Sequence, residues 1–219
     1  MMPIITALRV QTGGEDRVSL YLDDEFAFDL PLICAAGLHT GQELSQLEIK
    51  ALDGKSKEQA AYDRAVNYLS FRPRSSEEVR RHLVRSGISD TVVAIVVDRL
   101  RQQGSLDDAS FARFWIENRE RFKPMAPRAL RYELSQKGVG RDIIESMLHA
   151  IDAEASAERA AEKRIWRYRG KSRVDFRHKL GSWLYRRGFD RDTIHSVIDR
   201  LEAELDQSEP RYFANGLEE

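Results

Sequence analysis

The chain has 219 residues, 42% of them hydrophobic, so it is long enough to bury one or two cores. Its single cysteine, Cys34, excludes an internal disulfide framework and is typical of a reducing cytosol, so we expect a cytoplasmic protein. No apolar run approaches the roughly 20 residues that a membrane-spanning helix needs, so no membrane partner is expected.

Charge is balanced overall, with 35 Lys and Arg residues against 36 Asp and Glu residues, but it is unevenly distributed. Residues 1–60 have a net charge of −5, residues 61–157 of +2, residues 158–205 of +5 and residues 206–219 of −3. A basic region therefore follows an acidic N-terminal one. This arrangement predicts an anionic partner for the C-terminal part of the chain.

The N-terminal residues 1–56 predict a small β-rich domain. Residues 4–10, 17–22 and 25–30 have the composition of three strands. A turn at Gly13-Gly14 would join the first two, and Asp23-Asp24 would form a tight turn between the last two. One helical turn at 31–36 and a short amphipathic helix at 43–52 follow. The polar residues 53–58 are interpreted as the boundary of this domain.

The rest of the chain repeats one pattern, which is seen when it is aligned on Gly87, Gly138 and Gly188. Two apolar residues stand eight and four positions before each glycine: Val79 and Leu83, Leu130 and Leu134, Leu180 and Leu184. Five positions on helical spacing follow each glycine: Val92, Val93, Val96, Val97 and Leu100; Ile143, Ile144, Met147, Leu148 and Ile151; Thr193, Ile194, Val197, Ile198 and Leu201. The spacing predicts two helices, with the glycine in the left-handed conformation that ends the first.

A third helix is predicted upstream of each pair, over residues 61–71, 107–122 and 157–169. The fold class is therefore mainly α, with three tandem three-helix repeats at 57–106, 107–156 and 157–205 and a flexible acidic tail at 206–219. The β-branched run 92–97 has the propensity of a buried strand. Its copy in the second repeat has polar residues on one helical face, so a helix is predicted in all three repeats.

Several residues predict where the helices begin. Ser75 and Glu78 have the spacing of a capping box, and Ser105 and Asp108 repeat it. Pro127 suits the first turn of a helix. On a helical wheel, the arginines that follow Val79 lie opposite its apolar stripe, so we expect them to face solvent or a partner.

The segment 166–173 alternates aromatic rings with cations, and residues 163–191 contain eleven basic and two acidic residues. This composition is typical of surfaces that stack bases and contact phosphates. The alternative is that the rings belong to the core and the arginines form a solvated face. We expect the rings, Trp166 included, in the core, while the basic density favours an anionic partner.

Reading of duplex DNA by helix-turn-helix units is disfavoured. The helices after each glycine expose acidic residues, which phosphates would repel: Asp90, Asp98, Asp142, Glu145, Asp192 and Asp199. The basic residues lie instead on the preceding helices.

No enzymatic constellation is evident. The five histidines lack metal-ligand spacing, Cys34 lies in an apolar stretch, and no phosphate-binding glycine loop is present. We therefore expect a non-enzymatic binding protein with no catalytic residues, metal or cofactor.

The stretches YLSFRPRSSEEVRRHL, RLRQQGSLDDASFARFW and APRALRYELSQKGV resemble the RecX family of recombination regulators. The resemblance is dense over residues 61–151 and weaker, but in register, over the third repeat. Met125-Ala126 departs from the lysine- or glycine-rich linker expected there. The resemblance implies tandem three-helix repeats in an elongated, curved array and no catalysis.

The resemblance also implies binding in the groove of the RecA filament on single-stranded DNA. Family members limit filament growth, ATP hydrolysis, strand exchange and repressor cleavage, and so act in recombination, DNA repair and the SOS response. We expect a monomer whose basic faces contact RecA or DNA through Arg72, Arg74, Arg80, Arg81, Arg85, Arg128, Arg131, Lys137, Arg167, Arg169, Lys171, Arg173, Arg177, Lys179, Arg186 and Arg187. Two alternatives stay open: a stand-alone nucleic-acid-binding repeat protein, such as a transcription or RNA factor, and a structural helical scaffold.

Overall fold

The structure, a computed structural model, describes residues 2–11 and 17–214. The predicted Gly13-Gly14 turn and the last five residues lie outside the described residues. The chain folds into two compact units, one of Met1–Arg72 and Val79–Leu106, the other of Pro73–Glu78 and Asp107–Glu219.

Three antiparallel strands in the order β1-β2-β3 confirm the predicted sheet: β1 Ile5–Val10, β2 Arg17–Leu22 and β3 Glu25–Pro31. Asp23 and Asp24 form the turn between the last two, with φ angles of 49° and 68°. Aspartate tolerates this left-handed region better than most residues do. The Asp24 amide donates to Thr6 Oγ1 at 2.9 Å, which fixes the turn against β1.

A single helical turn, α1 Leu32–Ala35, precedes a long helix, α2 Gln46–Ser70. Ser45 and Glu48 form a reciprocal capping box at its start. The predicted end of the short helix at residue 52 is wrong, because α2 passes through residues 53–58. The boundary predicted after residue 56 therefore lies inside a helix. Lys57 pairs with Asp53 one turn earlier, and the buried Ser56 hydroxyl donates to the Asp29 carbonyl of β3.

Eight further helices follow. They are α3 Ser76–Arg85, α4 Asp90–Gln102, α5 Asp108–Phe122, α6 Pro127–Gln136, α7 Arg141–Leu148, α8 Ala153–Ile165, α9 Arg173–Arg186 and α10 Arg191–Ser208, with a short 3-10 helix at Trp166–Tyr168 after α8. They confirm three three-helix repeats, built from α2 to α4, α5 to α7 and α8 to α10. The β-branched run 92–97 is helical, as predicted.

Each repeat has its own core, made by the apolar positions that recur in the sequence. The core of the first contains Val79, Leu83, Val93, Val96 and Leu100. The corresponding positions are buried in the third repeat, and in the second repeat Leu130, Leu134 and Ile144 are buried while Met147 and Ile151 are partly buried against them. The three turn glycines have φ angles of +80°, +77° and +93°, which confirms their predicted left-handed conformation.

Within the second unit, the carbonyl just before Gly138 and the carbonyl just before Gly188 each accept a hydrogen bond from a residue distant along the chain. The Ser75 hydroxyl donates to the Lys137 carbonyl at 2.5 Å, and the Ala126 amide donates to the Arg187 carbonyl at 3.1 Å. A Cβ on Gly138 would collide with Glu77, and one on Gly188 would lie 2.9 Å from the Ala129 Cβ. The glycines therefore allow close docking as well as turning.

Of the two capping predictions at helix starts, one needs correction. Asp107, not Ser105, caps α5, because its carboxylate accepts from the Ala109 amide at 2.9 Å. The capping box of Ser75 and Glu78 is confirmed by bonds of 3.1 and 3.4 Å.

The tail from Asp206 was expected to be flexible, but residues 206–214 are packed on the third repeat. Helix α10 extends to Ser208, and Tyr212 is buried between Phe176 and Phe213. Tyr212 donates its hydroxyl to the Ile165 carbonyl, and burial raises the pKa of this phenol to about 12. Tyr212 and Phe213 supply the apolar surface that packs on the repeat. The prediction of a flexible tail considered its acidic residues and not these two rings.

Candidate functional site

The predicted basic residues lie in different electrostatic environments. Seven of them have a carboxylate of the same chain within 4.0 Å: Arg80, Arg131, Lys137, Arg169, Arg173, Arg177 and Lys179. Exposed pairs of this kind contribute only about 0–1 kcal/mol to stability. They do neutralise charge locally, so these seven are less available to an anionic partner.

Two of these arginines make more than one bond to carboxylates. Arg131 reaches both oxygens of Glu145, at 2.6 and 2.8 Å, which raises the pKa of the arginine and lowers that of the carboxyl. Arg177 bridges Asp199 and the buried Glu202 at 2.6 Å each. Both arginines tie the second helix of a repeat to the third, which is a structural role.

Three predicted residues lie near the start of the second helix of the first repeat. Arg72 and Arg74 are half-buried on either side of Pro73, and Arg81 is exposed on α3. Each takes part in an interaction within the chain. Arg81 keeps the outward position that the helical wheel predicts, since Val79 and Leu83 are fully buried.

The other six predicted cations have no carboxylate within ion-pair distance in the described part of the chain: Arg85, Arg128, Arg167, Lys171, Arg186 and Arg187. Arg128 donates to the Phe189 carbonyl at 3.2 Å, and Arg187 donates to the Pro124 carbonyl at 3.1 Å. Four of the six belong to the third repeat. The excess positive charge predicted there is thus concentrated on a few side chains.

Exposed aromatic rings end the first helix of every repeat, a feature that the sequence reasoning missed. Phe71 is 82% exposed, Phe122 65% and Trp166 66%. The prediction that Trp166 lies in the core is wrong, whereas Tyr168 is buried. The sequence feature that marks these exposed rings is an aromatic residue followed directly by a basic residue, as in Phe71-Arg72, Phe122-Lys123 and Trp166-Arg167.

A groove of about 780 Å³ runs between α9 and α10 of the third repeat. Its floor contains Gly181, Ile194 and Ile198, and its rim includes Arg186 and Arg191. A Cβ on Gly181 would lie 3.6 Å from the methyl groups of both isoleucines, so the glycine deepens the groove. An apolar floor with a basic rim suits an amphipathic acidic segment.

No group of three or more His, Cys, Asp or Glu side chains among residues 2–11 and 17–214 is placed to hold a metal ion. Cys34 is a half-buried free thiol. The described helices include none that is long and apolar enough to cross a bilayer.

Comparison with known proteins connects this architecture to a family. Four family models match: the regulatory protein RecX N-terminal domain over residues 3–45, and the first, second and third three-helix domains of RecX over residues 61–100, 107–148 and 152–198. These matches cover the sheet and all three repeats.

Individual relatives agree with the family models. A protein named Regulatory protein RecX from Bacillus subtilis (strain 168) is 30% identical over 211 residues, which cover 94% of this chain and 80% of the relative. One from Prosthecochloris aestuarii is 43% identical over 141 residues, or 64% of this chain and 93% of the relative. A crystal structure of regulatory protein RecX has a TM-score of 0.72 at 24% identity, covering 90% of this chain and 100% of that one. The chain belongs to the RecX family of regulatory proteins.

Proposed function

We propose that this protein is a mainly negative regulator of the RecA recombinase. It binds in the groove of the RecA filament on single-stranded DNA and limits filament growth. ATP hydrolysis, strand exchange and the coprotease activity of the filament fall as a result. Membership of a family whose relatives are named regulatory proteins supports a regulatory role.

The observation that carries the proposal is a set of four cations on the third repeat that have no carboxylate partner among the described residues: Arg167, Lys171, Arg186 and Arg187. A nucleoprotein filament is rich in phosphates and carboxylates. Cations without a carboxylate of their own chain form new ion pairs without breaking old ones, so they favour such a partner. Because they are mostly exposed, the resulting affinity falls as salt rises.

The repeated architecture suits a repetitive target. Three repeats of one pattern follow one another along the chain, each with its own core. Such repeats offer similar surfaces in succession. Several weak contacts on one chain reinforce one another through effective concentration, so modest sites give firm binding.

The proposal extends to cellular context. We propose that the protein acts as a cytoplasmic monomer, needs no metal or cofactor, and serves recombination, DNA repair and the SOS response through RecA. Catalysis stays with the recombinase, and this chain acts by binding.

The test is a titration of the protein into RecA, single-stranded DNA and ATP while ATP turnover is followed. Capping of filaments predicts inhibition well below one protein per RecA protomer, because one bound molecule blocks the addition of many. A parallel titration measures binding to duplex DNA and structured RNA without RecA. Tight binding there, with unchanged ATP turnover, would favour a stand-alone nucleic-acid-binding protein instead.

A further inference from the structure

Two arginines share one aromatic ring where the third repeat meets the second. Arg164, near the end of α8, and Arg187, just after α9, both lie over the ring of Trp183, at 5.5 and 4.2 Å from its centroid. All three side chains are half-buried. Contact with the electron-rich face of tryptophan stabilises each cation in part and fixes the position of its guanidinium group.

These arginines lack the carboxylate partner that neighbouring cations have. Within the described residues, the buried Nε atom of Arg164 has no hydrogen-bond partner, and Arg187 donates only to the Pro124 carbonyl. Burial, together with the nearby charge of Arg164, lowers the pKa of Arg187. Two like charges in a partly buried place are unfavourable unless an anion joins them.

Neighbouring arginines of the same repeat differ in this respect. Arg159 on α8 pairs with Glu120 at 2.5 Å, and Arg200 on α10 pairs with Glu154 and Glu158. The absence of an acid beside Arg164 and Arg187 is therefore a local property of this junction, which makes it a candidate anion site.

Two exposed rings, Trp166 and Phe122, lie close along the chain to the residues of this junction. Trp166 lies two residues beyond Arg164, with the Arg167 guanidinium 4.9 Å from its ring centroid. Its indole donates to the Lys163 carbonyl at 3.2 Å, and the Lys163 ammonium donates to the Arg121 carbonyl, next to Phe122. Lys163 thus links the ends of α8 and α5, each of which has an exposed ring.

We propose that Arg164 and Arg187 bind one phosphate group of single-stranded DNA, while Trp166 and Phe122 stack on bases beside it. This deepens the proposed function, on which it rests, by assigning direct DNA contact to the junction of the second and third repeats. A planar guanidinium matches phosphate oxygens in a bidentate geometry. Exposed rings can stack on unpaired bases, whereas the bases of a duplex are already stacked. An acidic peptide would fill the anion site but leave the rings unused.

The experiment measures fluorescence anisotropy of labelled oligothymidylate bound by the full chain without RecA. We expect W166A and F122A each to weaken binding about fivefold or more, as loss of one stacked base does. W166F should keep most of the affinity. We expect R164Q to weaken binding and to reduce the slope of log affinity against log salt by about 0.7, the value for one single-strand phosphate.

Matched controls separate the site from general effects of charge and fold. R200Q removes the same charge from an arginine with two acidic partners, and Y132A removes an equally exposed ring, 67% accessible, from α6. Both should bind within about twofold of the original chain. Circular dichroism checks that each variant is folded, and R187Q is avoided because Arg187 also holds the Pro124 carbonyl.

The proposal is overturned if R164Q and R200Q have equal effects, or if W166A and Y132A do. Competition with polyglutamate gives a second way to overturn it. Polyglutamate would displace the oligonucleotide equally well from the original chain and from W166A, and R164Q would abolish polyglutamate binding. The site would then bind carboxylates and not DNA. Inhibition of RecA ATP turnover is measured separately. If the original chain does not bind oligothymidylate but still inhibits RecA ATP turnover, this inference alone is refuted. If the original chain does not inhibit RecA ATP turnover, the proposed function is refuted.

Discussion

The two sides of the third repeat contain similar numbers of cations but differ in how these are paired. Where α9 meets α10 and the segment after it, Arg169, Arg173 and Arg177 bond to Glu209, Asp206 and Glu202. Where the repeat meets α5 and α6, Arg164 and Arg187 have no acidic partner among the described residues. We call these the paired side and the unpaired side.

This difference shows that a net charge of +5 over residues 158–205 overstates the surface that is available for binding. Cations of the paired side help to fasten α10 and the tail to α9. Those of the unpaired side contact the Trp183 ring and form no ion pair among the described residues, although Arg187 also donates to the Pro124 carbonyl. Charge counts therefore locate the basic region, and the pairing shows which of its cations already have an acidic partner.

The largest expected effect comes from a substitution in the core of the third repeat, which supports both sides. Phe176 is fully buried and contacts Tyr168, Tyr212 and Phe213. Its replacement by alanine should cost about 3–5 kcal/mol of unfolding free energy, because a large cavity is left in the core. Urea unfolding followed by circular dichroism measures this. Val174→Ala, at a site 78% exposed on the same helix, is the control and should change stability by less than about 0.5 kcal/mol.

A smaller effect separates the cations of the third repeat that have an acidic partner from those that have none among the described residues. We expect Arg167→Gln with Arg186→Gln to raise the concentration that half-inhibits RecA ATP turnover about tenfold, because two direct contacts with the filament are lost. Arg169→Gln with Arg173→Gln removes the same charge from the paired side. That variant should inhibit within about threefold of the original chain, since Glu209 and Asp206 already neutralise these two charges. Equal losses in the two variants would show that pairing is irrelevant.

The smallest expected effect is a gain in affinity for the filament. Asp206→Asn with Glu209→Gln removes the carboxylates that bond to Arg173 and Arg169, and so frees two cations. We expect filament affinity to rise about twofold to fivefold, with a small loss of thermal stability of the tail. Binding to immobilised filaments measures it. Glu204→Gln, at an exposed acid on the same helix, changes the charge without releasing either arginine. A gain of the same size in that variant would indicate a general charge effect.

The repeats could be predicted from the sequence because their determinants are local. Glycine in the left-handed turn and the apolar pairs eight and four residues before it recur at fixed spacing, and each repeat closes its own core. The continuous helix α2 was missed because Gly54 and the polar residues around it are typical of a loop. A long-range bond from Ser56 to β3 supports the helix there.

The site could be predicted only in outline. Basic density pointed to the third repeat, but the acids that neutralise Arg173 and Arg177 lie 33 and 25 residues away along the chain. Nothing in local spacing indicates such pairs. Exposure of Trp166 was likewise hidden, since the buried Tyr168 two residues later has a similar local composition.

The salt dependence of binding to the RecA filament tests the central claim most directly. The slope of log affinity against log salt is measured for the original chain, for Arg167→Gln with Arg186→Gln, and for Arg169→Gln with Arg173→Gln. If the unpaired cations contact the filament, the slope flattens in the first variant and stays unchanged in the second. The same slope in all three proteins would contradict the account.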